Sequence, residues 1–90
     1  MEQQTSANQE IQQHREAIDA LDEQIVVLLN KRQSHALAIR AVKQKQGVAI
    51  FDPARETEII ERLQGLSEGP LQGEYLAEIY GTIMKVSKEV

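Results

Sequence analysis

Ninety residues make one domain, near the small end of what folds alone, and a net charge of −4 without a lysine/arginine cluster argues against a nucleic-acid partner. Hydrophobic residues are 41% of the chain but aromatics only 3%, so an aliphatic, helical core is expected rather than a β-sandwich. There is no cysteine, which removes disulfides and thiolate metal sites and fits a reducing compartment.

Residues 1–8 are polar and without period, and are expected to be a flexible segment ahead of a helical domain at 9–90. No signal peptide follows Met1, and the longest aliphatic run, 25–29, is too short to span a membrane, so the chain reads as cytoplasmic. Residues 9–46 hold no proline or glycine. Read in sevens, Ile11, Ile18, Ile25 and Ile39 share one position, and Leu21, Leu28 and Val42 share the position three further on. That is the pattern of a helix packed along its length against other helices. At 1.5 Å per residue it would run roughly 55 Å, longer than a globule of this size is wide, so it should need a partner.

Arg32 falls in line with those four isoleucines. A buried arginine is costly unless something negative meets it. Lys43 lies about 16 Å of helix rise further on, near the same face, so the two long side chains could close on one small anion. Arg15 lies about 25 Å before Arg32 and cannot reach that ligand within one chain. In an antiparallel homodimer with its two-fold axis near residues 26–27, Arg15 of the partner subunit would come level with residue 38.

Basic residues and Gly47 close the first helix. Residues 48–51 form a short apolar lid or strap rather than a strand. Asp52 and Pro53 open a second helix as N-cap and first helical residue, with Ile59, Ile60, Leu63 and Leu66 on its buried face. Gly65 and the turn at 67–70 break it. A third helix starts at Leu71 or Gln72 and runs to the end, with a stripe of Leu76, Ile79, Tyr80, Ile83 and Met84. Ser87 continues the stripe as the polar residue at its level. Gly73 and Gly81 weaken this helix by up to about 1 kcal/mol each relative to alanine.

His14 and His35 stand about 31 Å apart along one helix, so no metal site is expected. No Ser/His/Asp set, glycine-rich phosphate loop or HExxH occurs. Singly, the charged residues have ordinary explanations. Asp52 and Glu56 suit a helix N-terminus, Arg55 a surface, Arg15 a seam flank and Lys43 a solvated helix end. Together they describe one site of two or three cations, a paired acid and a hydroxyl.

These residues resemble a known family. Residues 15–23, then 28–32, Val42-Lys43 and Asp52-Pro53-Ala54-Arg55-Glu56 are similar to the all-helical (AroQ-type) chorismate mutases. The spacing is intact: Arg, seventeen on Arg, eleven on Lys, nine on Asp, four on Glu. Gly47-Val48, Phe51-Asp52-Pro53 and the Gly69-Pro70-Leu71 turn look most like mutase domains fused to other aromatic-pathway enzymes. The resemblance implies an all-α, intertwined antiparallel homodimer of three-helix chains with a very long first helix. It implies rearrangement of chorismate to prephenate, toward phenylalanine and tyrosine, with no cofactor. Carried over by residue, Arg32 and Arg15 of the partner subunit would hold carboxylates, and Lys43 would donate to the ether oxygen and a carboxylate. Glu56 and the Asp52 backbone would bind the ring hydroxyl, Ser87 would help with a carboxylate, and Arg55 would support the ring-carboxylate side or order the loop. The family's second ether-oxygen donor would stand at position 91, past Val90, so a ninety-residue chain is expected to be a slow mutase. The alternatives are an isochorismate-pyruvate lyase, a regulatory module binding prephenate or chorismate within a fused synthase, and a plain dimerisation helix, which leaves Arg32 unexplained.

Overall fold

The computed structural model describes residues 2–90, with side chains from residue 6 onward; Met1 lies outside the described residues. Among the described residues three helices follow one another: α1 (Glu2–Gln46), α2 (Pro53–Leu66) and α3 (Gly73–Glu89). The all-α, three-helix expectation holds, and no strand occurs among the described residues. The chain divides into two compact units at the His35–Ala36 junction, with α1 contributing residues to both.

α1 starts at Glu2, earlier than the apolar period, which begins near Gln9, indicates. The added residues hold no glycine or proline, and glutamate, glutamine and alanine favour helix. Gly47 ends the helix in the left-handed region at φ 68°. The Gly47 N–H donates to the Gln44 carbonyl at 3.3 Å and the Val48 N–H to the Lys43 carbonyl at 3.0 Å. This paired closure satisfies two carbonyls the helix would otherwise leave open, and it requires a residue that tolerates positive φ.

The first unit is helix alone. Its apolar stripe stays open: Ile11, Ile18, Leu21, Ile25, Val27 and Leu28 are between 48% and 62% exposed. Asn30 donates its side-chain amide to the Val26 carbonyl at 3.0 Å, and Ser34 donates its hydroxyl to the Asn30 carbonyl at 3.1 Å. Both polar groups are thus spent on the helix's own backbone.

In the second unit α2 packs on α3. Asp52 caps α2, its carboxylate accepting from the Arg55 N–H at 3.0 Å, with Pro53 at the first helical position. Ile59, Ile60 and Leu63 of α2, and Leu76, Tyr80 and Ile83 of α3, are half-buried around Met84, which is 5% exposed. Two residues expected on the buried faces are open: Leu66 at 64% and Ile79 at 44%. Leu66 is the last residue of α2, just before Ser67 turns extended. Ile79 lies roughly a quarter turn round α3 from the mean direction of Leu76, Tyr80, Ile83 and Met84. Gly73 has a packing role as well as a helix cost. A Cβ there would stand 3.3 Å from the Gln64 Cβ, so the glycine lets α3 begin against α2. Ser67 donates its hydroxyl to the Leu71 carbonyl, closing the intervening turn. Arg40 of α1 reaches the end of α3, donating to the Val90 carbonyl at 2.7 Å and the Ser87 carbonyl at 3.0 Å. A guanidinium there meets both the open carbonyls and the negative end of the helix dipole.

Candidate active site

The strap at 48–51 is held between two helix ends, the Gly47 closure of α1 and the Asp52 cap of α2. It is irregular backbone, as expected, and carries no strand. Lys43, in the last turn of α1, donates its ammonium to the Ile50 carbonyl at 3.4 Å. The Asp52 carbonyl accepts the Glu56 N–H at 3.2 Å, so Glu56 projects from the first turn of α2. Its carboxylate accepts from the Lys88 ammonium of α3 at 3.1 and 3.3 Å. That ammonium also lies over the Phe51 ring of the strap, 4.6 Å from its centroid. Strap, α2 and α3 therefore meet around one carboxylate and one ammonium.

Among the described residues, the four least exposed charged residues are Arg32, Arg40, Lys43 and Glu56. Three of them are residues that the spacing selects. Lys43 and Glu56 flank the strap in the second unit. Ser87 is half-buried on α3, its carbonyl held by Arg40. Asp52 uses its carboxylate as the α2 cap, and its carbonyl takes the Glu56 N–H. Arg55 pairs with Glu58 at 2.6 Å, both side chains more than half open. Arg15 and Arg32 belong to the first unit, where Arg15 is exposed and Arg32 half-buried.

Sequence reasoning missed Lys88 and Arg40. Lys88 stands four residues after buried Met84, hence on the same face of α3. It is a second polar residue at the level of Ser87. Arg40 precedes Lys43 by three, one turn earlier on the same side of α1. Both positions were readable from the helical period.

The strap and the adjoining end of α3 thus gather the cations Lys43, Lys88 and Arg40 with the carboxylate of Glu56. Such a set can attract an anion, and Glu56 can accept a hydrogen bond from a hydroxyl. Among the described residues no group of three or more histidine, cysteine, aspartate or glutamate side chains could hold a metal ion, and no helix is long and apolar enough to cross a membrane. This defines a helical protein suited to a small, polar, anionic ligand. Comparison with known proteins names it further: the family model "Chorismate mutase type II" matches residues 14–90, and the chain belongs to that family.

The relatives agree. The chain is 41% identical over 71 residues to a bifunctional chorismate mutase/prephenate dehydratase of Neisseria gonorrhoeae, covering 79% of this chain and 19% of that one. It is 36% identical over 80 residues to the protein of the same description from Aquifex aeolicus, covering 84% and 22%. The chain therefore spans about a fifth of the length of the curated relatives it matches. Among solved structures, a chorismate mutase of Thermus thermophilus superposes with a TM-score of 0.84 at 28% identity, covering 86% of this chain and 96% of that one. A second form of the same mutase gives 0.87, covering 89% and 91%.

Proposed function

We propose that this chain is a chorismate mutase, an isomerase that rearranges chorismate to prephenate on the route to phenylalanine and tyrosine. The observation that carries the reading is a coincidence of two independent selections. The spacing shared with the family singles out Arg15, Arg32, Lys43, Asp52 and Glu56, and three of these, Arg32, Lys43 and Glu56, are among the four least exposed charged residues of those described. The family match, at 14–90, contains every proposed site residue from Arg15 to Ser87.

The reaction is unimolecular and needs no covalent intermediate and no cofactor. The catalyst has to hold a flexible dianion in a compact chair and to stabilise charge growing on the ether oxygen. Arg32 grips one carboxylate with a permanently charged two-pronged fork, and Arg15 of the partner subunit grips the other. Lys43 donates to the ether oxygen and a carboxylate; its contact to the Ile50 carbonyl is long, and an ammonium has three N–H groups to share. Glu56 and the Asp52 backbone take the ring hydroxyl, and Ser87 assists at a carboxylate. Arg55, paired with Glu58, orders the start of α2.

The same reading makes the protein an intertwined antiparallel homodimer, cytoplasmic, with 9–90 as the mutase domain, and fused to or associated with a second aromatic-pathway enzyme as its relatives' descriptions suggest. The open stripe on α1 supports the dimer, since each of these half-exposed isoleucines and leucines, once covered, contributes about 1 kcal/mol. So does the shallow groove along α1 lined by Ala20, Glu23, Gln24, Val27 and Leu28, beside the expected axis at 26–27. Ridges of a second helix fit such grooves.

The test is incubation of the purified chain with chorismate and, separately, isochorismate. Prephenate from chorismate without added cofactor is expected. Pyruvate from isochorismate alone would replace this reading with the lyase, and tight chorismate binding without turnover would replace it with a regulatory module.

A further inference from the structure

We propose that Lys88 is a positioning residue of this site, seating the Glu56 carboxylate so that it selects a ligand carrying a ring hydroxyl. The inference rests on the mutase reading and adds a residue that reading does not contain. Three elements converge on the Lys88 ammonium. Glu56 of α2 offers both carboxylate oxygens, at 3.1 and 3.3 Å, and Phe51 of the strap offers its ring face at 4.6 Å. The ammonium is thus held by α2 through the carboxylate and by the strap through the ring. The Glu56 side chain is 28% exposed and that of Lys88 46% exposed, so the acid is the more enclosed partner.

The valences leave room for a ligand. A carboxylate has about four acceptor directions, and Lys88 takes one on each oxygen. A ring hydroxyl can donate to a remaining one without displacing the lysine. The hydroxyl then gives a hydrogen bond to Glu56, whose carboxylate Lys88 holds in place. A ligand without it leaves that acceptor of Glu56 unanswered, and unmet polar groups are what make a site discriminate.

This contact forms in ground state and transition state alike, because the hydroxyl is not at the breaking bond. Losing it should therefore raise KM and leave kcat nearly unchanged. The experiment measures prephenate formation by the full chain for wild type, Lys88→Met, Lys88→Arg, Glu56→Gln and Lys88→Met/Glu56→Gln. Lys88→Met should raise KM about five- to tenfold with kcat within about twofold, since a hydrogen bond to a charged group is lost in a partly open site. Lys88→Arg should recover most of the loss. In the Glu56→Gln background Lys88→Met should cost less than about twofold, because the carboxylate it seats is gone. The thermal midpoint should move by no more than about 2 °C, an exposed pair contributing little to stability. Unchanged KM in Lys88→Met, or an equal loss in both backgrounds, overturns the positioning role while the mutase reading stands. A wild-type chain that forms no prephenate overturns both. Should Lys88→Met fail to fold, Lys88→Arg and Glu56→Gln still decide: an arginine variant as impaired as Glu56→Gln counts against the role.

Discussion

Arg32 inverts what hydrophobicity alone would order. It shares its heptad position with Ile11, Ile18, Ile25 and Ile39, all about half exposed, yet the arginine is the more covered residue. A long stem laid along a helix can shield itself while its charged head stays free for an anion. Arg32→Ala should lower kcat/KM for chorismate at least about a hundredfold, the usual cost of truncating one partner of an enclosed charge pair. Lysine at 32 should recover little, lacking the fork. Circular dichroism checks that helicity is retained, and near-normal turnover in the alanine variant would remove Arg32 from the site. At this scale the sequence was legible where a charge broke an apolar period, as at Arg32. It was silent on pairing between distant positions: Lys88 and Glu56 stand 32 residues apart, and only the packing of α2 on α3 makes them neighbours.

Among the elements, the helix ends were the most readable features. Asp52-Pro53 and Gly47 announce a cap and a stop by chemistry local to the chain, and both are found with the expected bonds. Less readable was how far each buried face extends. Leu66 and Ile79 fit an apolar period but not the line along which α2 and α3 meet, and that line is a tertiary fact. The N-terminal limit of α1 also lies outside what an apolar period can mark, since a polar stretch without period can still be helical. Gly47 carries the sharpest prediction at this scale. With φ at 68°, alanine would be forced into the left-handed region, and Gly47→Ala should cost about 1 kcal/mol of unfolding free energy. Urea titration reads this as a lower midpoint at unchanged slope. An unaltered midpoint would mean that the turn at the end of α1 adds nothing to stability.

For the whole molecule, the proposed sharing of sites between subunits can be tested by counting them. Arg15→Ala and Lys43→Ala homodimers should each be inactive, having lost one member of both sites. Unfolded together and refolded, half of randomly paired dimers are mixed, and each mixed dimer has one intact site of two. Activity should return to about a quarter of wild type. No recovery, with mixed dimers demonstrated by mass, would refute the sharing. The open stripe of α1 has a further consequence, for the order of the folding reaction. In the proposed dimer the search for a second chain is part of folding itself, since the first unit alone buries none of its isoleucines and leucines. Unfolding is then governed by mass action: each tenfold rise in protein concentration should lift the thermal midpoint by about 3–4 °C for a dimer of this size. The slow phase of refolding should accelerate in proportion to concentration, where a self-sufficient chain would refold at one rate however dilute.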